Sequence, residues 1–176
     1  DVYKRQVLGF AGAGGFVGLG AAVVVIDDAS TVTAYIGNYS DILEAGSLSV
    51  SATGNQIIQG ETDQVSAGAV GAGASFVTID VGNDSVANDT HAFIGTYVDI
   101  GQSTGTVGGI SVTATSTVMA EAKAHGVSAG IGAFSANFAF VDIATGVTAS
   151  IGTGSSIKVT GGVTVTATFT PDAYAK

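Results

Sequence analysis

A threefold internal repeat constrains this chain more than any other feature of its sequence. Three landmarks recur in one order: an apolar run ending in Asp, an Ala-x-Ile-Gly element, and an alternation of apolar with hydroxyl residues. Their copies are Val24–Asp27, Val77–Asp80 and Phe140–Asp142, then Ala34–Gly37, Ala92–Gly95 and Ala149–Gly152, then Leu48–Thr53, Ile110–Thr115 and Val163–Thr168. Self-similarity of this kind predicts stacked units that bury a shared core.

The spacing of the landmarks fixes the period. Asp27 and Asp80 are 53 residues apart, whereas Asp80 and Asp142 are 62 apart, so the middle copy holds nine extra residues. The extra residues fall among Gly, Asn, Asp, Ser and Thr, where loops tolerate insertion. We assign repeat 1 to residues 7–64, repeat 2, with its loop insertions, to residues 65–126, and a truncated repeat 3 to residues 127–176.

The first six residues stand apart from the repeat. Residues 1–6 look like the translated end of a transposon adapter used in sequencing libraries, and we treat them as an artefact outside the fold. Without them, the only basic residues are Lys123, Lys158 and Lys176. The chain would then be a metagenomic fragment that lacks its natural start.

Alternation at a period of two predicts that each repeat is built of strands. Ile110–Thr115 alternates apolar and hydroxyl residues, which is typical of a strand with one buried and one wet face. Met119–His125 contains the helix formers Ala, Glu and Lys. Its alternation of alanine with polar residues nevertheless predicts a strand with a small-residue inner face.

One copy of the repeat cannot bury a core alone, whereas stacked copies can. We therefore expect an all-β fold, a parallel right-handed β-solenoid (β-helix) built from about three repeats of 53–62 residues. Each copy would supply about two coils, at a rise of about 4.8 Å per coil. The alternative is an antiparallel β-sandwich or prism with internal repeats.

Composition excludes several classes of function. The chain carries a net charge of −9 with only five Lys and Arg residues, which argues against binding to nucleic acids or to anionic membranes. It contains no cysteine, which excludes disulfides and thiolate metal sites. The uncharged stretch Val7–Ile26 is long enough to span a bilayer, but it is rich in glycine and aligns with the other copies. It is therefore predicted to form strands.

The polar residues most open to a chemical interpretation are the recurring aspartates and the two histidines. Asp27, Asp80 and Asp142 are expected to end strands in Asx-type turns, with a carboxylate ladder or calcium ligation as the alternative. His91 and His125 lie at unrelated repeat positions and are expected to face solvent from strands. We therefore predict no catalytic, cofactor-binding or metal-binding residue, and no cofactor.

Composition and residue pattern also bear on two further functions, catalysis and ice binding. β-Helical lyases and hydrolases need clustered carboxylates, usually with Lys or Arg, and this chain spreads its acids thinly. We therefore predict that the chain is not an enzyme. The rows Ser111-x-Thr113-x-Thr115 and Thr164-x-Thr166-x-Thr168 are typical of a strand surface, with ice binding as the alternative.

The repeat also resembles a known family. Val-Ser-Ala-Gly at Val65–Gly68 and Val127–Gly130, a Gly/Ala run, an apolar strand, the Ala-x-Ile-Gly element and the alternating hydroxyl strand follow one another. This order is similar to the repeats of large bacterial filamentous adhesins, the fusobacterial leukotoxin-like and filamentous-haemagglutinin-like surface proteins. The resemblance covers Val7–Thr168.

The resemblance implies a secreted, autotransporter-like passenger region at the bacterial cell surface. It further implies export through an outer-membrane β-barrel partner, contact with adjacent repeats of the parent chain, and attachment to a host-cell or matrix surface. Two hypotheses follow: a non-catalytic stalk, or a binding module. The module would contact host matrix or glycans through its lateral face or through the repeat 2 loops, near Gly82–Thr90 and Asp99–Gly109.

Overall fold

Strands make up the regular structure of the described chain, and their lengths follow the alternation in the sequence. The computed structural model describes residues 2–83, 87–102 and 105–176, and within them it contains thirteen strands and no helix. The strands are β1 (Val2–Gly14), β2 (Val17–Asp28), β3 (Thr31–Ile36), β4 (Asp41–Ile42), β5 (Leu48–Ala67), β6 (Val70–Val81), β7 (Asn88–Ile94), β8 (Asp99–Ile100), β9 (Ile110–Ala129), β10 (Gly132–Ile143), β11 (Thr145–Ile151), β12 (Ser156–Ile157) and β13 (Val163–Ala175).

The strands form four parallel sheets. Sheet I joins β1, β5, β9 and β13, sheet II joins β2, β6 and β10, sheet III joins β3, β7 and β11, and sheet IV joins β4, β8 and β12. Every pair of named strands is parallel, and each strand pairs with its counterpart in the next repeat. The all-β prediction is therefore confirmed, and the antiparallel sandwich or prism is wrong for the part of the chain that the structure describes.

The register of the pairs equals the period of the repeat. Asp80 pairs with Asp27 on one side and with Asp142 on the other, and the other two landmarks align in the same way. Each repeat thus adds one strand to each sheet. The prediction of two coils per copy is wrong, because strands β5 and β9, of 20 residues each, use up residues that the prediction gave to a second coil.

The extra residues of repeat 2 lie at two corners between sheets. The pairing offset is 53 at Val17↔Val70, 58 at Thr31↔Asp89 and 62 at Leu48↔Ile110. Five residues are therefore inserted between β6 and β7, and four more between β8 and β9. These corners are the predicted repeat 2 loops, and residues 84–86 and 103–104 within them lie outside the described residues.

The assigned boundaries of the repeats fall inside strands. The junctions 64/65 and 126/127 lie within β5 and β9, a few residues before each strand ends. Strand β1 runs on through residues 2–6, the segment treated as an artefact, and Arg5 lies 2.9 Å from the Asp28 carboxylate.

Alternation within the strands places the core. In Met119–His125 the alanines at 120, 122 and 124 are buried while Glu121 and Lys123 lie on the outer face, which confirms the predicted strand. Val7–Ile26 forms parts of two strands, as predicted. Within the described residues, no helix is long and apolar enough to cross a membrane.

A layer of hydrogen-bonded polar side chains separates two apolar clusters. One cluster, which includes Ile79, lies between sheet II and the second half of sheet I, and the other, which includes Ile94, lies between sheets III and IV and the first half of sheet I. Between them, Asn88 Nδ2 donates a hydrogen bond to Asp28 Oδ2 at 2.9 Å, and Gln56 Nε2 donates one to Asn88 Oδ1 at 3.3 Å. Burial of these polar groups is tolerated because they are partnered.

Candidate interaction surface

The outer face of sheet II is apolar, although it is open to solvent. Strand alternation turns one set of side chains away from the core, and nearly all of them are apolar. We call this set the apolar plate: Val17, Leu19, Ala21, Val23 and Val25 on β2, Val70, Ala72, Ala74 and Phe76 on β6, and Phe134, Ala136, Phe138 and Phe140 on β10. Leu19 is 69% exposed and Phe134 is 67% exposed. Contiguous apolar patches on soluble proteins usually mark an interaction site.

The apolar plate is shaped into rows by the register of sheet II. Ala21, Ala74 and Ala136 align across the three strands, and Val23, Phe76 and Phe138 align in the next row. We call the first row the alanine groove and the second the aromatic ridge. An open depression of about 370 Å³ lies over the alanine groove and is lined in part by Leu19, Ala72 and Phe134.

A row of carboxylates borders the apolar plate at one end. Asp27, Asp80 and Asp142 pair in register, each one residue before the end of its strand. The register stacks the three aspartates as a carboxylate ladder, the predicted alternative, one residue before their strands end, and the Asx-type turn stays a prediction. Burial raises the pKa of Asp80, and repulsion from Asp27 and Asp142 raises it further. Within the described residues, no group of three or more His, Asp or Glu side chains is placed to hold a metal ion.

The carboxylate ladder should make stability depend on pH. The folded pKa of Asp80 lies above its ordinary value of 3.8, so the native state binds more protons than the unfolded state between the two values. The free energy of unfolding should therefore rise as pH falls through that window. Asp80→Asn removes the charge, so the variant should melt at a higher temperature than wild type at pH 7.

Thermal unfolding at several pH values tests this prediction. The advantage of Asp80→Asn should shrink as pH falls and vanish below the ordinary pKa of 3.8, where Asp80 is protonated in the wild type. Asp172→Asn is the control, because Asp172 pairs with Met119 and not with another acid. If Asp172→Asn raised the melting temperature by the same amount, the effect would come from net charge and not from the ladder.

The outer face of sheet I carries many hydroxyl and charged side chains, unlike the apolar plate. Hydroxyl residues align there across repeats, for example Ser51, Thr113 and Thr166, as the alternation predicts. Further along the same face, Lys123 Nζ lies 2.6 Å from Glu121 Oε1, and Gln59 donates a hydrogen bond to Glu121. The two long faces of the chain therefore differ: the plate is almost wholly apolar, whereas the outer face of sheet I mixes polar side chains with exposed apolar ones such as Leu8, Phe10 and Val127.

Aromatic side chains stack at the corner that precedes sheet IV. The rings of Tyr39 and Tyr97 lie 5.5 Å apart and within 3° of parallel, and both side chains are largely exposed. Both residues have positive φ angles, 59° and 54°, and the third copy has Gly154 at the matching turn, with φ of 74°. Left-handed backbone is uncommon for residues other than glycine. Each of the first two repeats therefore holds one exposed tyrosine in a strained turn.

The histidines are not brought together. His91 lies on β7 with Nε2 3.4 Å from Asp89 Oδ2, while His125 is exposed on β9 in another sheet. Both are outward strand residues, as predicted. The structure therefore assembles neither a zinc site nor an acid–base pair from them.

The apolar plate was missed by the sequence analysis, although a signal for it was present. Val17–Ile26 and, apart from Asn137, Phe134–Val141 are apolar or small at both alternating positions, a pattern typical of strands buried on both faces. Sheet II is covered on one face only. Its strands thus have the composition of fully buried strands while one face remains exposed.

Comparison with known proteins leaves the chain without a match. No protein-family model, no curated protein and no solved structure is similar to it at a significant level. What the chain does must therefore be inferred from its own residues and their arrangement.

Proposed function

We propose that the chain is a non-catalytic structural segment of a secreted bacterial surface adhesin, three stacked layers of a parallel β-solenoid. The single observation that carries the proposal is the register, in which matching residues of successive repeats pair at an offset equal to the repeat length. A solenoid built in this way lengthens by one layer for each repeat added. Its coil is right-handed by the general rule for parallel crossover connections.

The burial of the outer layers supports a stack that accepts further repeats. In the middle layer, inward residues such as Val77 and Val112 are fully buried, whereas Val165, which pairs with Val112, is 43% exposed. Strand β13 is exposed along its whole length. Such a surface suits coverage by an adjacent repeat of the parent chain.

The resemblance to filamentous adhesins extends the proposal to the whole protein. The extended proposal is that the whole protein is exported through an outer-membrane β-barrel partner, lies at the cell surface, and contacts host cells or matrix. In this proposal, the chain spaces or carries a binding region. A binding module that contacts host matrix or glycans is the second candidate, and the exposed Tyr39–Tyr97 stack on strained backbone favours it, because such strain often accompanies function.

Adding repeats tests the solenoid. Extra copies of residues 65–126 inserted in tandem should lengthen the particle by about 4.8 Å each, the spacing of paired strands, at constant cross-section. Small-angle X-ray scattering on monodisperse samples measures both quantities. The unmodified chain is unsuitable for this measurement, because a 20-residue strand of about 65 Å exceeds the height of three layers.

The opposite result is equally distinct. Repeats that folded as separate globules of about 60 residues would each add about 25 Å to the length, given the usual size of domains. The scattering profile would then resemble beads and not a uniform rod. Growth of that size would remove the basis for a stalk.

A further inference from the structure

We propose that the apolar plate of sheet II is a self-association surface, occupied by the same plate of a second copy of this chain, packed face to face with antiparallel strands. This inference goes beyond the proposed function, since it needs only the sheet and not adhesion. Sheet II exposes large apolar side chains from all three of its strands, and the core of this chain lies on its other face.

The size of the apolar plate fits a partner with the same repeat. Nine residues along each strand and three strands across give about 30 Å by 14 Å, or roughly 400 Å². Even complete overlap of two plates would bury only about half of the 800 Å² per partner that a standard stable interface buries. Each further repeat would add one strand to sheet II, and hence roughly 140 Å² of apolar plate to each copy. The added strands of the two copies would face each other, because both stacks have the same strand spacing. Association should therefore be weak for three layers and stronger for longer stacks.

The two central rows of the apolar plate are self-complementary in shape, whereas the rows beyond them bring Phe140 over Phe134 of the second copy. Consider a twofold axis that runs along the stacking direction, above the row that contains Ser75. This axis generates a second copy whose strands run in the opposite direction, and each position on one side of the row faces the equivalent position from the other side. The aromatic ridge of each copy then lies over the alanine groove of the other, so that Phe76 faces Ala74 of the second copy. Large side chains opposite small ones are what lets two sheets interdigitate at a separation of about 10 Å.

The carboxylate ladder selects this orientation. With parallel strands, the two ladders would meet and bring six carboxylates together at one end of the interface. With antiparallel strands, each Asp80 lies five residues from the axis, so the ladders are about 33 Å apart. That distance exceeds the screening length of about 10 Å at 0.1 M salt, so the ladders hardly repel each other. Antiparallel packing places the two ladders at opposite ends of the interface, each over the row of Val17, Val70 and Gly132 of the second copy.

Sedimentation of the full chain and two matched lysine variants is the first test. Ala74 and Thr113 both face outward from the middle layer, Ala74 in the apolar plate and Thr113 on the polar face of sheet I. Either lysine changes the net charge from −9 to −8, so general repulsion falls equally in both variants. Wild type should form a concentration-dependent dimer. Ala74→Lys should weaken it at least about tenfold, because a lysine would be buried without a partner, while Thr113→Lys changes it less than about twofold.

Cysteine pairing is the second test, and the absence of native cysteine makes it clean. A mixture of Ala74→Cys and Phe76→Cys chains should be joined into dimers by a short bifunctional maleimide faster than either variant alone, since the two positions face each other across a gap too wide for a disulfide. The control mixture, Thr113→Cys with Thr115→Cys, has the same spacing on sheet I and should not link. Circular dichroism verifies that each variant keeps its strands.

Two outcomes would overturn the proposal. One is a wild-type chain that stays monomeric at every concentration that remains soluble. The other is a dimer that Ala74→Lys leaves intact and that the Ala74→Cys and Phe76→Cys mixture does not capture, which would place the contact at open strand edges. Neither outcome affects the growth of tandem repeats, so failure here is distinguishable from failure of the proposed function.

Discussion

Gly82→Ala is expected to destabilise the chain by about 3 kcal/mol or more, because two costs add at that position. Gly82 has a φ of 69°, where an L side chain is strained. A Cβ built there would also overlap the carbonyl oxygen of Ala144 in the next layer. The corner cannot relax cheaply, because Gly82 N donates to Asp28 O at 2.9 Å and Ala144 N donates to Val81 O at 2.7 Å.

Urea unfolding of Gly82→Ala against Gly132→Ala measures this cost. A Cβ at Gly132 would have no heavy atom within 4 Å, and Gly132 lies in a strand. Gly132→Ala should therefore be neutral, or stabilising by up to about 1 kcal/mol through loss of freedom in the unfolded chain. Equal losses from the two variants would show that close stacking at the Gly82 corner contributes nothing special.

Ile94→Ala is expected to cost about 2–5 kcal/mol, the range for removal of a fully buried branched side chain. Ile94 is 0% exposed, and it lies in the middle layer between Ile36 and Ile151, with which it pairs in register. Both neighbours pack against the same apolar cluster. A cavity at Ile94 would therefore be enclosed on both sides along the stack.

Ile36→Ala is the matched control, since Ile36 has the same place in repeat 1 as Ile94 has in repeat 2. Ile36 lies in an outer layer and is only partly buried, so its truncation should cost clearly less. Denaturant unfolding of both variants, followed by circular dichroism, provides the comparison. Losses of equal size would mean that the layers do not differ in burial as described.

The two predictions share a physical basis. Residues at equivalent positions of the repeat differ in energetic importance only because one layer has neighbours on both sides. Within the described residues, the inward side chains of the middle layer are buried, while those of repeat 3 are partly buried or, on β13, exposed. Sequence similarity between Ile36, Ile94 and Ile151 gives no sign of this difference.

Much of the local structure could be predicted from the residues alone. Alternation identified the strands, including Met119–His125, where it prevailed over the helix propensity of Ala, Glu and Lys. The three landmarks pair in the register that their spacing predicts. Such features depend on neighbours along the chain, and on the rule that matching repeats stack, so that they are visible in a single sequence.

The number of layers that each repeat contributes, and whether each outer face is covered or exposed, could not be predicted. A period of 53 residues is compatible with one long coil or two short ones, and only the 20-residue strands decide for one. Asp27, Asp80 and Asp142 were expected to make Asx-type turns, and only the register shows that they stack as a ladder. The apolar plate was hidden because its strands have the composition of strands that are buried on both faces.

The sequence by itself determined that the chain is β, that it repeats, and which residues face inward in alternating strands such as Ile110–Thr115 and Met119–His125, because a strand points successive side chains to opposite faces. Only the tertiary structure decided which sheets cover one another. Sheet I covers one face of sheet II and leaves the apolar plate open, because coverage depends on where the turn at residues 68–69 returns the chain. That placement, and not any local pattern, makes the plate the surface where we expect a second copy to bind.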